Sequence, residues 1–193
     1  MVFAATPPWD GTLAKYYVNA SDFCYKLLKS MDLEEGAMVG PLAVAISIGQ
    51  TAGSLASKTV VVMGCGPIGL LCQAVAKQYG ASKVIGLDVV VSRMELAKSY
   101  GADETYMPSR ATPGTDPIEH AQETRWAGRL ISKGSIRYLA GAYPAAIDLI
   151  ARRKVDVKAL ITHRFKFEDS EQAFELVKEG RSDVFKVMIE GVQ

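Results

Sequence analysis

Histidine and cysteine are scarce in this chain. There are two histidines and three cysteines in 193 residues. A catalytic zinc draws three protein ligands from Cys, His and carboxylate, so the supply is thin from the start. Cys24, Cys65 and Cys72 are odd in number and show no CxxC spacing. That excludes a disulfide framework and points to reduced intracellular thiols. Long apolar runs are also missing. Stretches such as Leu42–Ile48 and Val60–Gly64 fall far short of the roughly 20 residues a membrane helix needs. No basic segment followed by an apolar one opens the chain, so no secretory leader is expected. Neither charge sign dominates, with 22 Lys and Arg against 21 Asp and Glu. Nothing in that balance attracts nucleic acid. A cytoplasmic globular protein is expected, with no nucleic-acid partner and no membrane partner.

The composition supports folding. The hydrophobic fraction is 49% and the charged fraction 22%, near the averages of soluble globular chains. Residues 1–33 carry the turn signals Pro7-Pro8 and Asp10-Gly11, then a candidate strand, Leu13–Val18. Residues 34–57 read as helical, with Glu34 and Glu35 placed where carboxylates favour the helix dipole. Gly36, Gly40 and Pro41 predict a broken helix there, or two short ones. The run Thr59–Met63, β-branched up to Val62, predicts a strand buried on both faces. A helix follows over Pro67–Tyr79, with apolar residues at 68, 71, 72, 75, 76 and 79. Pro67 suits its first position and Gly80 its left-handed end. Further elements are expected at Lys83–Asp88 (strand), Ser92–Tyr100 (helix) and Glu104–Tyr106 (strand). Residues 107–128 form a connector with a short helix near Ile118–Thr124. Then come a strand at Ser135–Leu139, a helix at Pro144–Arg153, a strand at Ala159–Phe165, a helix at Ser170–Glu179 and a strand at Phe185–Ile189.

The chemistry-bearing motif is Gly64-x-Gly66-x-x-Gly69, between the β-branched strand and the amphipathic helix. The first glycine makes the tight turn. The second leaves room for a pyrophosphate, and the third allows close helix–strand packing. Pro67 and Ile68 complete the turn at the helix N-terminus, where free N–H groups favour phosphate. Asp88 lies nineteen residues beyond Gly69. A carboxylate there accepts from a ribose diol and repels a 2′-phosphate, which favours NAD(H) over NADP(H). A glycine-rich βα turn that binds nothing is the alternative.

These residues resemble a known family. The stretches TPPWDGTLAKYY, DFCYKL, VVMGCGPIGLLCQAVAKQYGASKVIGLD, SRMELAKSYGAD, GSIRY and ALITHRFKFEDSEQAFELVKEG are similar to zinc-dependent medium-chain dehydrogenases, in the sorbitol, xylitol and arabinitol dehydrogenase branch. The resemblance implies that Gly64–Gly69 is the pyrophosphate turn and Asp88 the ribose acid. It places Arg93 near the adenosine end, and Arg137 and Tyr138 along the cofactor and substrate cleft. It also shows departures. The family is about twice as long. Its zinc-binding segment precedes the point where Met1 aligns. Its Glu-Pro-Leu motif, whose glutamate approaches the zinc, is Gly40-Pro41-Leu42 here, and a nearby histidine is Ser47. Between the connector and Gly134, the strands that hold the nicotinamide are missing. His120 falls in the connector, His163 reads as a structural histidine, and Cys24 as core packing between aromatics. No zinc site is expected.

The fold expectation is therefore α/β: a reduced Rossmann-type parallel sheet with a small remnant of the medium-chain dehydrogenase catalytic domain. Residues 1–33 form the remnant, 34–154 the Rossmann-like part lacking some of its second half, and 155–193 return to the remnant. Strand 59–63 would keep a free edge unless Ser135–Leu139 or a homodimer covers it. Three functional readings stay open. One is a homologue that binds the adenosine end of NAD(H) without working as an alcohol dehydrogenase. Another is a non-redox isomerase or cyclase acting on a small organic ligand, with Tyr16, Arg137, Tyr138 and His163 as acid, base or shape-giving groups and Lys15 and Tyr17 beside them. The third is a residual NAD-dependent oxidoreductase. Tyr25 and Lys29 have the spacing of a short-chain reductase pair, but they precede the glycine turn and read as chance.

Overall fold

The computed structural model describes residue 8 and residues 10–108 and 138–191. In chain order its elements are α1 (Leu33–Ala52), β1 (Thr59–Met63), α2 (Pro67–Gln78), β2 (Lys83–Leu87), α3 (Val91–Ser99), β3 (Glu104–Tyr106), α4 (Ala142–Ala151), β4 (Ile161–Phe165), α5 (Ser170–Lys178) and β5 (Lys186–Ile189). Strands β1, β2 and β3 form one parallel sheet in that order, and β4 pairs with β5 in a second parallel sheet. The α/β fold read from the sequence holds. The expected Ser135–Leu139 strand and the helix near 118–124 lie largely or wholly outside the described residues. Tyr138 and Leu139, which are described, are not in a strand, and Leu139 N donates to Ser47 Oγ on α1 at 2.8 Å.

Three expectations need correction. First, α1 is one unbroken helix of 20 residues with Pro41 inside it. Its start is a capping box. Asp32 accepts from Glu35 N at 2.9 Å, and Glu35 accepts from Asp32 N at 3.0 Å. Met38, Leu42 and Ile46 are wholly buried where α1 packs on α2 and α4. That burial outweighs the hydrogen bond that proline removes. Second, Leu13–Val18 is not a strand. It has no sheet partner, and Tyr16 and Val18 are 82% and 94% exposed. β-propensity alone does not form a strand without a surface to pack on. Cys24, in the same irregular stretch, is exposed and not a core residue. Third, β1 is not buried on both faces. Val60–Val62 are half-buried and Met63 is exposed, because among the described residues β1 pairs only with β2. The central position belongs to β2, whose Val84 and Ile85 are fully buried.

The main core joins α1, α2 and α4 to Val155, Val157, Leu160 and Ile161. Polar bolts lock it. Lys158 Nζ lies 2.6 Å from Asp32, Arg164 clasps Glu34, and Arg153 pairs with Glu35. Tyr100 donates its hydroxyl to Asp156 O at 2.7 Å. Asp103 receives Lys77 and also Val84 N, both at 2.7 Å. Hydrogen bonds from Lys158, Arg164 and Lys77 hold the Asp32, Glu34 and Asp103 carboxyls below the ordinary carboxylate range. Depressed folded-state values stabilise the protein above the unfolded values, and that contribution is lost as pH falls through the folded ones. Melting temperature is therefore expected to hold from pH 8 to 5 and to drop below about pH 4, with high salt shrinking the drop. An unchanged melt at pH 3 in low salt would refute this.

Candidate nucleotide-binding site

The glycine turn is built where β1 hands over to α2. Gly64 has φ +93° and donates its N–H to Leu87 O at 2.7 Å, tying the turn to β2. Gly66 is the N-cap of α2, and its carbonyl accepts from Leu70 N at 2.9 Å. Pro67 fills the first helical position and offers no N–H. The N–H groups of Ile68 and Gly69 have no protein acceptor among the described residues and remain for a ligand. Ile68 is 39% exposed at the same end. A Cβ at Gly66 would meet no atom within 4 Å, so the protein leaves open the space where a phosphate would lie. At Gly69 the opposite holds: a Cβ would fall 1.8 Å from Gly64 O. Gly69 serves packing, and Gly66 leaves room for a ligand.

Asp88 stands beside the turn, just past β2. It is 9% exposed and accepts from Cys65 N at 2.7 Å with one oxygen and from Val90 N at 2.9 Å with the other. Each oxygen keeps a second lone pair for a ligand hydroxyl. Beneath the turn, Gln73 is fully buried on α2 and donates to Cys65 Sγ at 3.4 Å, while its Oε1 has no partner. The sequence reading tracked only apolar positions on α2 and so missed Gln73. Its i+8 spacing from Cys65 was the available signal.

Burial is the main cause that raises the Cys65 thiol, and burial pushes Cys72 up to about 11. Only Cys24 is exposed. The native protein should therefore show one fast-reacting thiol with a disulfide reagent and three after denaturation. A fast Cys65 would mean that the turn opens in solution.

The remaining candidate residues are dispersed. Arg137 lies outside the described residues. Tyr16 projects from the exposed irregular segment, with Lys15 Nζ 5.7 Å from its ring. His163 sits on β4, its Nδ1 3.0 Å from Thr162 Oγ1. Tyr16, Tyr138 and His163 share no hydrogen bond or ring contact, so the structure does not gather them as one catalytic group. Tyr138 instead joins an aromatic cluster, edge-to-face on Tyr143 at 4.9 Å, while Tyr143 stacks on Tyr25 at 5.1 Å. Burial, a hydrogen bond with Tyr138 and the neighbouring phenols push Tyr143 up to about 12.

This cluster bears on the zinc question. A Cβ at Gly40 would lie 3.8 Å from the Tyr143 hydroxyl and 4.0 Å from that of Tyr138. Phenols thus face the position of the family's glutamate. Ser47 is buried and engaged by Leu139 N. Among the described residues no three His, Cys, Asp or Glu side chains are placed to hold a metal ion. The described residues do not fit a catalytic zinc.

No family model matches the chain. Individual relatives do. A probable D-xylulose reductase A from Aspergillus niger is 41% identical, aligned over all of this chain and 66% of its own length. A probable D-xylulose reductase A from Aspergillus terreus is 38% identical over all of this chain and 68% of its own length. The chain belongs to the polyol-dehydrogenase branch of the medium-chain dehydrogenases. This family member spans about two thirds of the length of those relatives. The Aspergillus niger alignment runs over 240 residues against 193 in this chain, so at least 47 positions have no counterpart here. Among solved structures, an oxidoreductase/dehydrogenase of unknown specificity from Escherichia coli superposes with TM-score 0.81 at 25% identity, covering 98% of this chain and 67% of its own. A structure described as a short chain alcohol dehydrogenase from Escherichia coli CFT073, complexed with NADH, gives TM-score 0.74 at 22% identity, covering 93% of this chain and 66% of its own. These likenesses establish the medium-chain dehydrogenase fold.

Among the described residues no helix is long and apolar enough to cross a membrane.

Proposed function

We propose that this chain binds the adenosine and pyrophosphate half of NAD(H), and that by itself it does not perform the polyol oxidation of its relatives. The observation that carries the first part is the open space at Gly66, at the N-terminus of α2, with Asp88 beside it. The free N–H groups of Ile68 and Gly69 would receive the pyrophosphate, and Asp88 would accept from the ribose diol. The resemblance of the motif to the family's pyrophosphate turn supports the same reading, as does the NADH complex of the fold relative. A bound dinucleotide would supply hydride transfer. The second part rests on what faces Gly40: two phenol hydroxyls in place of a carboxylate.

Two measurements test this. NADH titrated into the protein should show saturable fluorescence enhancement. Gly66→Val fills the open space and Asp88→Asn removes a charged acceptor. Each should weaken binding by about tenfold or more. Thermal melts should show both variants folded. NADH binding that both variants keep would sink the turn as its site. For the second part, elemental analysis should find well below one zinc per chain, and xylitol or sorbitol with NAD should give no turnover. Turnover with stoichiometric zinc would overturn it.

A further inference from the structure

Gln73 has no part in the nucleotide reading, yet it lies directly beneath the turn. It is fully buried on α2, where the other buried residues are Leu70, Leu71, Val75 and Ala76. A buried amide whose Oε1 has no partner costs stability. An apolar side chain of the same length would fill the space without that cost. Packing therefore does not explain the amide.

What the amide holds is the turn. Its Nε2 donates to Cys65 Sγ at 3.4 Å. Cys65 is itself wholly buried, and its N–H donates to Asp88 Oδ2 at 2.7 Å. The other Asp88 oxygen accepts from Val90 N. Strand β2 makes way for the pair. A Cβ at Gly86 would fall 3.0 Å from Gln73 Nε2 and 3.2 Å from Cys65 Sγ, and a glycine inside a strand marks such a close approach. Contacts thus run from α2 through Cys65 to the carboxylate at the turn. Without the amide, the thiol keeps only a 3.7 Å hydrogen bond to Leu87 O, and the Cys65 N–H is freer to leave Asp88.

We propose that Gln73 is a positioning residue for ribose-diol recognition: by holding Cys65 Sγ, it fixes the N–H that orients Asp88. Gln73 itself touches no ligand. The proposal rests on the reading of Gly64–Gly69 and Asp88 as the site for the adenosine half of NAD(H).

Calorimetry with ADP and with 2′,3′-dideoxy-ADP, which lacks the diol, tests it. Wild type should prefer ADP. Gln73→Met keeps the length and removes the amide. It should weaken ADP by about three- to tenfold and dideoxy-ADP far less, with a melting temperature at or above that of wild type. A residue that served packing alone would change both ligands alike. Cys65→Ala removes the acceptor and should shrink the ADP preference as Gln73→Met does. Cys65→Ser supplies another acceptor and should keep the preference. If Gln73→Met does not fold, the two Cys65 variants carry the test. Two results overturn the proposal and leave the nucleotide site standing. One is a wild-type ADP preference in Gln73→Met or Cys65→Ala. The other is equal weakening of both ligands. Equal binding of ADP and dideoxy-ADP by wild type would remove the diol contact, and the proposal with it. Absence of saturable ADP and NADH binding by wild type would overturn the nucleotide reading and this proposal together.

Discussion

Gly69→Ala is expected to cost more than about 3 kcal/mol and to leave the protein largely unfolded at 37 °C. The new methyl would stand 1.8 Å from Gly64 O, a backbone atom. A flexible side chain could swing away from it, but this carbonyl is held by the turn, and Gly64 N is itself bonded to Leu87 O. Either α2 must move off β1 or the turn must break. Gly66→Ala is the control. A methyl there meets nothing within 4 Å, and φ is −73°, so its stability should stay within about 0.5 kcal/mol of wild type. Chemical denaturation of the two variants separates them. Equal midpoints would mean that the turn is far more plastic than its geometry shows.

The second large effect lies on α1. Leu42 is wholly buried in the helix that packs on both α2 and α4. Leu42→Ala should cost about 2–5 kcal/mol, the spread reflecting how far the cavity collapses. Gln50, exposed on the same helix, should tolerate alanine within about 0.5 kcal/mol. A Leu42→Ala midpoint matching that of Gln50→Ala would remove α1 from the core.

What could be read in advance follows distance along the chain. The β1–α2–β2 unit was legible almost to the residue, because strand, turn and helix signals lie within 30 consecutive positions. Gly80 ends α2 with φ +83°, as its type suggested. The continuity of α1 was not legible. Gly36, Gly40 and Pro41 each argue locally for a break, while the surfaces that hold the helix together arrive from α2 and α4. Its capping box, Asp32 with Glu35, was a readable pattern that went unused. The strand expected at Leu13–Val18 failed for the converse reason: good strand formers without a neighbour. At the site, the turn and Asp88 were visible as a motif. Arg93 was placed by resemblance at the adenosine end. Its charge acts on Cys65 in the glycine turn, and it also meets Phe185, about ninety residues later, a neighbour that no local pattern announces.

The ion pairs at the start of α1 have a consequence for the order of synthesis. Asp32, Glu34 and Glu35 bind Lys158, Arg164 and Arg153, across separations of 126, 130 and 118 residues. At about 5–20 residues per second, a ribosome takes roughly 6–26 s to add that intervening length. During that interval the first helix is complete but its clasp does not yet exist. The βαβ unit, built from near neighbours, can consolidate meanwhile. The clasp on α1 thus closes only after α2 and α4, which cover its apolar face, have been made.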